Sequence, residues 1–389
     1  MKMAERMSRL GTETAFGVLA KAQALEAKGM DVVHLEIGEP DFDTPDNIRA
    51  AAKDALDRGQ THYCNSQGIV PLRDQIAKEL ERTRGVAIEP ERIVVTPGAK
   101  PIAFFSILAL LEEGDEAICP DPSYPIYESV INFTGAKTVP IQLKEELGFR
   151  FDIEELRSKI TPRTKLIVLN SPHNPTGGVL EKDDVYAIAE IIKERDITVL
   201  SDEVYEHIVY EHEPFSIASL PGMLERTILL SGFSKTYAMT GWRLGYAALP
   251  PKLVEPVVRL IVNSVSCTAP FIQHAGIEAL TGPQDSVPKM VSEFRKRRDL
   301  IVNGLNRISG ISCVLPKGAF YVFPNVKEVG IDCNELADIL LNQAGVACLP
   351  GTHFGRYGDG YLRFSYATSL DKINIALERI EKTVKELST

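Results

Sequence analysis

The residue whose setting most directly suggests chemistry is Lys235, in the segment LSGFSKTYAMTGWRLGY at positions 230–246. Small residues surround this lysine, and Arg243 follows it by eight positions. A lysine amine that is partly withdrawn from water can attack an aldehyde and hold it as an imine. Most lysines are solvated surface residues, so the prediction of a reactive amine requires support from other parts of the chain.

An aldehyde cofactor held in this way needs three further groups, and the sequence offers a candidate for each. Asp202 is a carboxylate that can keep a ring nitrogen protonated, which makes the ring an electron acceptor. Arg363 can grip a substrate carboxylate with two parallel hydrogen bonds. In PGAKP (97–101), a glycine precedes a predicted helix whose first N–H groups are free to hold a phosphate. The candidates at this phosphate are Ala99, Lys100, Ser234 and Arg243.

A regular framework must position these residues, and the middle of the chain predicts one. Short apolar runs rich in β-branched residues alternate there with helix-like stretches such as 102–112 and 182–193. This alternation is typical of an α/β protein with a mostly parallel sheet covered by helices on both faces. The predicted strands are RIVVT (92–96), EAICP (116–120), KLIVL (165–169), ITVL (197–200), TILL (227–230) and LGYAAL (244–249).

Polar clusters follow five of these strands in succession. Ligands of open α/β sheets bind at the carboxyl ends of the strands, so we expect one site to collect all five clusters. Taken singly, each has an ordinary explanation, such as a helix cap at Asp202 or a turn at Asn174-Pro175. Their convergence favours a functional site. The clusters are PGAKP (97–101), DPSYPIY (121–127), NSPHNPTG (170–177), SDEVYEH (201–207) and SGFSK (231–235).

Two stretches that disfavour regular structure predict the domain boundaries. The first, VVHLEIGEPDFDTPD (32–46), contains one glycine and two prolines, and the second is TGPQDSVP (281–288). We therefore predict a large domain over residues 46–285. A smaller mixed α/β domain is predicted from residues 1–45 and 286–389, including a first helix over 16–28 that Gly29 ends.

Composition narrows the class of protein. The 389 residues carry a net charge of -10 without a block of Lys and Arg, which argues against a nucleic-acid partner. No apolar run suits a membrane helix or a signal peptide, and six scattered cysteines have no metal spacing. We therefore expect a cytoplasmic protein without a metal or membrane partner. The usual NAD and ATP motifs, GxGxxG after a strand and GxxxxGK[ST], are both missing.

Taken together, the motifs resemble those of the class I aminotransferases, which are fold type I pyridoxal-phosphate enzymes. GFSKTYAMTGWRLG (232–245) matches the lysine signature of the family, and GEPDFDTP, NSPHNPTG, SDEVYE and LRFSYA match its other blocks in order. The similarity runs from Phe16 to the C-terminus and is greatest toward prokaryotic aspartate and aromatic aminotransferases. It implies pyridoxal 5′-phosphate as cofactor and ping-pong transfer of an amino group from an L-amino acid to a 2-oxo acid.

The resemblance also implies a role for each site residue. Lys235 forms the imine and then shuttles a proton, while Asp202 holds the pyridine nitrogen. Arg363 binds the substrate α-carboxylate with help from Gly38 and Asn174. The other implied cofactor ligands are Ala99, Lys100, Ser234 and Arg243 at the phosphate, Tyr205 and Asn174 at the phenolate oxygen, Tyr124 against the ring, and Tyr63 from the other subunit of a homodimer.

Two features leave the substrate open. Residues 261–275 contain no Arg or Lys, although family members that grip an acidic side chain with a partner arginine should carry it there. Lys100 offers a second route to a distal carboxylate, and the alternative is that it only offsets phosphate charge. We expect a preference for aspartate, breadth toward aromatic amino acids, and 2-oxoglutarate as acceptor. The same fold also serves carbon–sulfur β-lyases, decarboxylases and regulators that bind the cofactor without turnover.

Overall fold

The structure is a computed structural model that describes residues 1–211, 213 and 215–387. All six runs predicted as strands contain strands, with ends that differ by one or two residues. In chain order the strands are β1 (Val33–His34), β2 (Ile93–Thr96), β3 (Glu116–Asp121), β4 (Lys137–Lys144), β5 (Arg150–Phe151), β6 (Thr164–Asn170), β7 (Thr198–Asp202), β8 (Thr227–Gly232), β9 (Gly245–Ala248), β10 (Tyr321–Val322), β11 (Val346–Ala347), β12 (Leu349–Pro350) and β13 (Leu362–Ser365).

The larger sheet has eight strands in the order β2–β9–β8–β7–β6–β3–β4–β5. Four neighbouring pairs, which run from β8 to β4, are parallel. The pairs β8–β9, β2–β9 and β4–β5 are antiparallel. The predicted α/β class with a mostly parallel sheet is confirmed.

Helices cover both faces of this sheet, because alternate strand residues point to opposite sides. The helices are α1 (Ala15–Glu26), α2 (Asp46–Asp57), α3 (Val70–Arg84), α4 (Lys100–Leu110), α5 (Ile126–Thr134), α6 (Ile153–Lys159), α7 (Lys182–Ile192), α8 (Phe233–Thr236), α9 (Pro251–Val262), α10 (Pro270–Thr281), α11 (Ser286–Leu305), α12 (Cys333–Asn342) and α13 (Leu370–Leu387). Ala117 and Cys119 of β3 pack with α4, α5 and α9, whereas Ile118 packs with α6 and α7.

Distant parts of the chain share a second core. Strand β1 pairs in parallel with β11, and β13 lies between β10 and β12 in an antiparallel sheet of three strands. Buried side chains of β1, β10, β11 and β13 pack with those of α11, α12 and α13. The division into domains at 45/46 and 285/286 stays a prediction.

The first helix agrees closely with expectation, since α1 precedes Gly29, which has a φ of 91°. Strands β4 and β5 were not predicted. KTVPIQLK in β4 contains Pro140 and is only partly buried, so it lacks the continuous apolar pattern of its neighbours. None of the helices in the described residues has the length and apolar composition that crossing a membrane requires.

Candidate active site

A cavity of about 560 Å³ opens where β3, β6, β7 and β8 end. All the predicted site residues except Tyr63 line this cavity, although Asn174 and Arg363 are separated by 189 positions. Tyr63 lies outside the lining and is 89% exposed. The lining residues among those predicted are Gly38, Ala99, Lys100, Tyr124, Asn174, Asp202, Tyr205, Ser234, Lys235, Arg243 and Arg363.

Lys235 lies on the short helix α8, directly after β8. Its Nζ donates a hydrogen bond of 2.5 Å to the backbone carbonyl of Gly38. The pKa of Lys235 is lowered to about 8, chiefly by desolvation, with contributions from the positive charges of Arg243 and Arg363, while the charge of Glu39 opposes this change. A substantial fraction of this amine is therefore neutral, and nucleophilic, just above neutral pH.

Asp202 ends β7 and is 7% exposed. Its Oδ2 accepts a hydrogen bond of 2.6 Å from the hydroxyl of Tyr127, and its Oδ1 accepts one of 3.2 Å from the amide of Val204. Burial raises the pKa of the Asp202 carboxyl to about 6, although the bond from Tyr127 lowers it. Residues 204–207 form a turn, so Asp202 does not cap a helix there. The carboxylate is suited to a cationic partner within the cavity.

Closely packed glycines shape the predicted phosphate site at the start of α4. A Cβ at Gly98, whose φ is 85°, would lie 2.1 Å from the Nη2 of Arg243. A Cβ at Gly245 would lie 2.3 Å from the backbone nitrogen of Ala99. The two glycines thus let the guanidinium and the first turn of α4 approach one another. Free N–H groups of a helix start beside an arginine form a site suited to an anion.

Arg363 is only 4% exposed, and other residues contact it on three sides. Its Nη1 donates a hydrogen bond of 3.1 Å to the Oδ1 of Asn174, and its Nη2 donates to the carbonyl of Glu36. Its Cζ lies 4.7 Å from the ring centre of Tyr321 and 4.9 Å from that of Phe354. No carboxylate among the described residues forms an ion pair with it. The charge is buried and oriented, which suits an incoming carboxylate.

Tyr321, Tyr127 and Glu13 are among the cavity residues that were not predicted as site residues. The hydroxyl of Tyr321 lies 2.7 Å from that of Tyr205, and a Cβ at Gly38 would collide with it. Tyr127 holds Asp202, as described above. Glu13 accepts hydrogen bonds from Lys100, at 2.5 Å, and from Tyr124. Tyr127 stands in one of the polar clusters, DPSYPIY, whereas no sequence pattern marks Glu13 or Tyr321.

Comparison with known proteins gives the same assignment. The sequence matches the family described as Aminotransferase class I and II over residues 30–380. The chain belongs to this family. An aspartate aminotransferase of Pyrococcus abyssi is 43% identical, over 92% of this chain and 94% of that protein. The aromatic-amino-acid aminotransferase 2 of Thermococcus litoralis is 40% identical over 99% of both.

Solved structures agree with the fold. The structure of aspartate aminotransferase from Thermus thermophilus with maleate has a TM-score of 0.95 and 38% identity, covering 98% of this chain and 99% of that one. The protein is thus a fold type I aminotransferase that depends on pyridoxal phosphate and acts on amino acids and 2-oxo acids. The resemblance found in the sequence motifs is confirmed at the level of family, fold, cofactor and reaction.

The cavity of this aminotransferase fits pyridoxal phosphate on structural grounds. The amine of Lys235, the buried carboxylate of Asp202 and the anion site beside Gly98 face the same cavity. These three features match the aldehyde, the ring nitrogen and the phosphate of the cofactor. When bound, pyridoxal phosphate supplies a ring that accepts an electron pair from the substrate.

Proposed function

We propose that this aminotransferase moves the amino group of an L-amino acid, with aspartate favoured, to 2-oxoglutarate. The observation that supports this most directly is Lys100, a second cation that lines the same cavity as Arg363. Aspartate and 2-oxoglutarate each carry two carboxylates, and two separated cations match that charge pattern. Relatives named aspartate aminotransferase support the same preference, as does the relative solved with maleate, a dicarboxylate.

The reacting groups are assigned from their positions. We propose that Lys235 removes and returns the proton at the substrate α-carbon, since a pKa of about 8 lets it act as both base and acid. Asp202 would hold the protonated ring nitrogen, and Tyr127 would orient Asp202. Tyr205 and Asn174 would donate to the phenolate oxygen of the cofactor.

The binding groups are assigned in the same way. Arg363 would hold the α-carboxylate with two hydrogen bonds, and its contact with Asn174 and the rings of Tyr321 and Phe354 fixes its plane. Ser234, Arg243 and the backbone N–H groups of Ala99 and Lys100 would hold the phosphate, which leaves the amine of Lys100 for the substrate. Tyr124 would lie against the ring. Gly38 would assist Arg363 through its backbone.

The reaction is tested by adding single amino acids to the cofactor-loaded protein without a 2-oxo acid. Aspartate should change the visible absorbance of the bound cofactor and yield one equivalent of its 2-oxo acid, and 2-oxoglutarate should restore the absorbance. A Lys235→Ala variant serves as the control and should yield no 2-oxo acid, because it lacks the group that moves the proton at the α-carbon. Release of pyruvate and ammonia without any acceptor would indicate a lyase instead, and no response to any amino acid would contradict the proposal.

We also propose that the chain forms a homodimer in which Tyr63 reaches the cofactor phosphate of the other subunit. Tyr63 is 89% exposed and lies outside the cavity of its own chain. Large apolar side chains at Leu56, Val70, Val262 and Val265 are also exposed. An interface between copies would withdraw such side chains from water. The cytoplasmic location expected from the sequence stays a prediction.

A further inference from the structure

The N-terminal segment before α1 runs across one wall of the cavity and is anchored on both sides of Glu13. The amide of Gly11 donates a hydrogen bond of 2.9 Å to the Oγ of Ser129 on α5. The Oγ1 of Thr14 lies 2.7 Å from the Nδ1 of His353. Glu13 itself lines the cavity. The segment thus brings a carboxylate of the protein into the space where substrates bind.

Glu13 is paired with the cation that the proposed function assigns to substrate. A single oxygen, Oε1, accepts from the Nζ of Lys100 at 2.5 Å and from the hydroxyl of Tyr124. The side chain of Glu13 is 20% exposed, so water screens this pair less than it screens a surface pair. Lys100 forms no other ion pair with the described residues. Its charge is therefore compensated by the protein before any ligand enters.

The Glu13 carboxylate also contributes to the field across the rest of the site. Desolvation is the largest cause of the raised pKa of Tyr124, and the charge of Glu13 is the next largest. The same charge makes a smaller upward contribution to the pKa of Lys235. Glu13 thus lies among the groups that hold the two ends of a substrate, and it has the charge of a substrate carboxylate.

We propose that Glu13 determines substrate specificity by occupying the position on Lys100 that the side-chain carboxylate of a dicarboxylic substrate requires. A dicarboxylate must displace Glu13 from Lys100 and Tyr124, and its own carboxylate then forms the ion pair with Lys100. A substrate with one carboxylate and a neutral side chain leaves the Glu13–Lys100 pair in place. This inference rests on the proposed function, because it takes Lys100 as the group that holds the distal carboxylate.

The proposal predicts that removing the ion pair between Glu13 and Lys100 strengthens the binding of dicarboxylates selectively. In Glu13→Gln the uncharged amide no longer competes for Lys100, so a dicarboxylate should bind about ten- to thirtyfold more tightly. Glu13→Asp keeps the charge but shortens the side chain by one methylene, so it should act in the same direction. A monocarboxylate should change by less than about threefold in both variants.

The measurement is calorimetric titration of the cofactor-loaded protein with two unreactive ligands, succinate and 3-phenylpropionate. Glu39→Gln is the matched control, because Glu39 lines the same cavity but its carboxylate accepts a hydrogen bond of 2.8 Å from the hydroxyl of Thr240 and does not contact Lys100. This control removes one negative charge without freeing Lys100, so it should favour succinate over 3-phenylpropionate much less than Glu13→Gln does. In a Lys100→Met background, Glu13→Gln should no longer favour succinate, because the cation for which Glu13 and succinate compete is missing.

Four results would overturn the proposal. Equal tightening of both ligands in Glu13→Gln, or the same preference for succinate in Glu39→Gln as in Glu13→Gln, would mean a general charge effect. Weaker succinate binding in Glu13→Gln would mean that Glu13 supports the site. Selective tightening that persists with Lys100→Met would place the dicarboxylate contact elsewhere. These binding results do not depend on turnover, so they are separable from a failure of amino-group exchange in the spectroscopic test of the proposed function.

Discussion

At the scale of single residues, burial changes the acid–base properties of the amine. The pKa of Lys235 is lowered to about 8, chiefly by desolvation, so the neutral nucleophile becomes populated as the pH rises through that value. The cofactor-free protein should therefore capture pyridoxal phosphate faster as pH rises from 6, with a plateau above about pH 9. Stopped-flow absorbance measures the rate, and Lys235→Ala gives the baseline. A rate that keeps rising to pH 10.5 would mean that the amine is not perturbed.

The shape of a side chain matters as much as its charge at Arg363. A lysine there keeps the charge but loses the planar fork and the contact with the rings of Tyr321 and Phe354. Arg363→Lys should weaken the binding of the transition state by about 3 kcal/mol for every amino acid substrate. This loss lowers kcat/KM by roughly 100-fold. Steady-state kinetics with aspartate and tyrosine measure this loss. Arg356→Lys, at an exposed neighbouring arginine, should have little effect, and a loss confined to one substrate would contradict the assignment.

At the scale of elements, close packing between β9 and the start of α4 shapes the phosphate site. A Cβ at Gly245 would lie 2.3 Å from the nitrogen of Ala99 and 2.4 Å from the carbonyl carbon of Gly98, which are backbone atoms. Gly245→Ala should thus destabilise the fold by about 1–3 kcal/mol. It should also weaken pyridoxal phosphate binding about tenfold or more, because the anion site moves.

Thermal unfolding and a titration with the cofactor measure these two effects. Gly241→Ala is the control, since nothing lies within 4 Å of a Cβ at that cavity-lining position. Equal behaviour of the two variants would show that the close approach does not govern cofactor binding.

The sequence predicted the elements and residues that depend on local pattern. Strands such as β6 and β7 are buried on both faces and contain runs of apolar residues. The clusters that follow them converge because parallel strands end at one edge. Strands of two residues, such as β1 and β10, leave no such pattern. Tyr321 reaches Tyr205 across 116 positions of sequence, so this contact depends on tertiary packing that no local spacing encodes.

At the scale of the whole molecule, a pairing of copies would complete the site. Tyr63 is exposed and outside the cavity of its own chain, so in a dimer it would serve the site of the other subunit. Mixing the Tyr63→Ala and Lys235→Ala variants tests this, because each is defective in a different part of one composite site. In a mixed dimer, the subunit that keeps Lys235 would receive an intact Tyr63 from the other subunit.

Co-expression of the two variants in equal amounts should make half of the dimers mixed, and each mixed dimer holds one complete site. The mixture should therefore regain about one quarter of the activity of the unaltered protein. Activity is measured at a cofactor concentration that leaves Tyr63→Ala alone largely unloaded. If Tyr63 acted within its own chain, the subunit with Lys235 would still lack the tyrosine. The mixture would then be no more active than the Tyr63→Ala protein it contains.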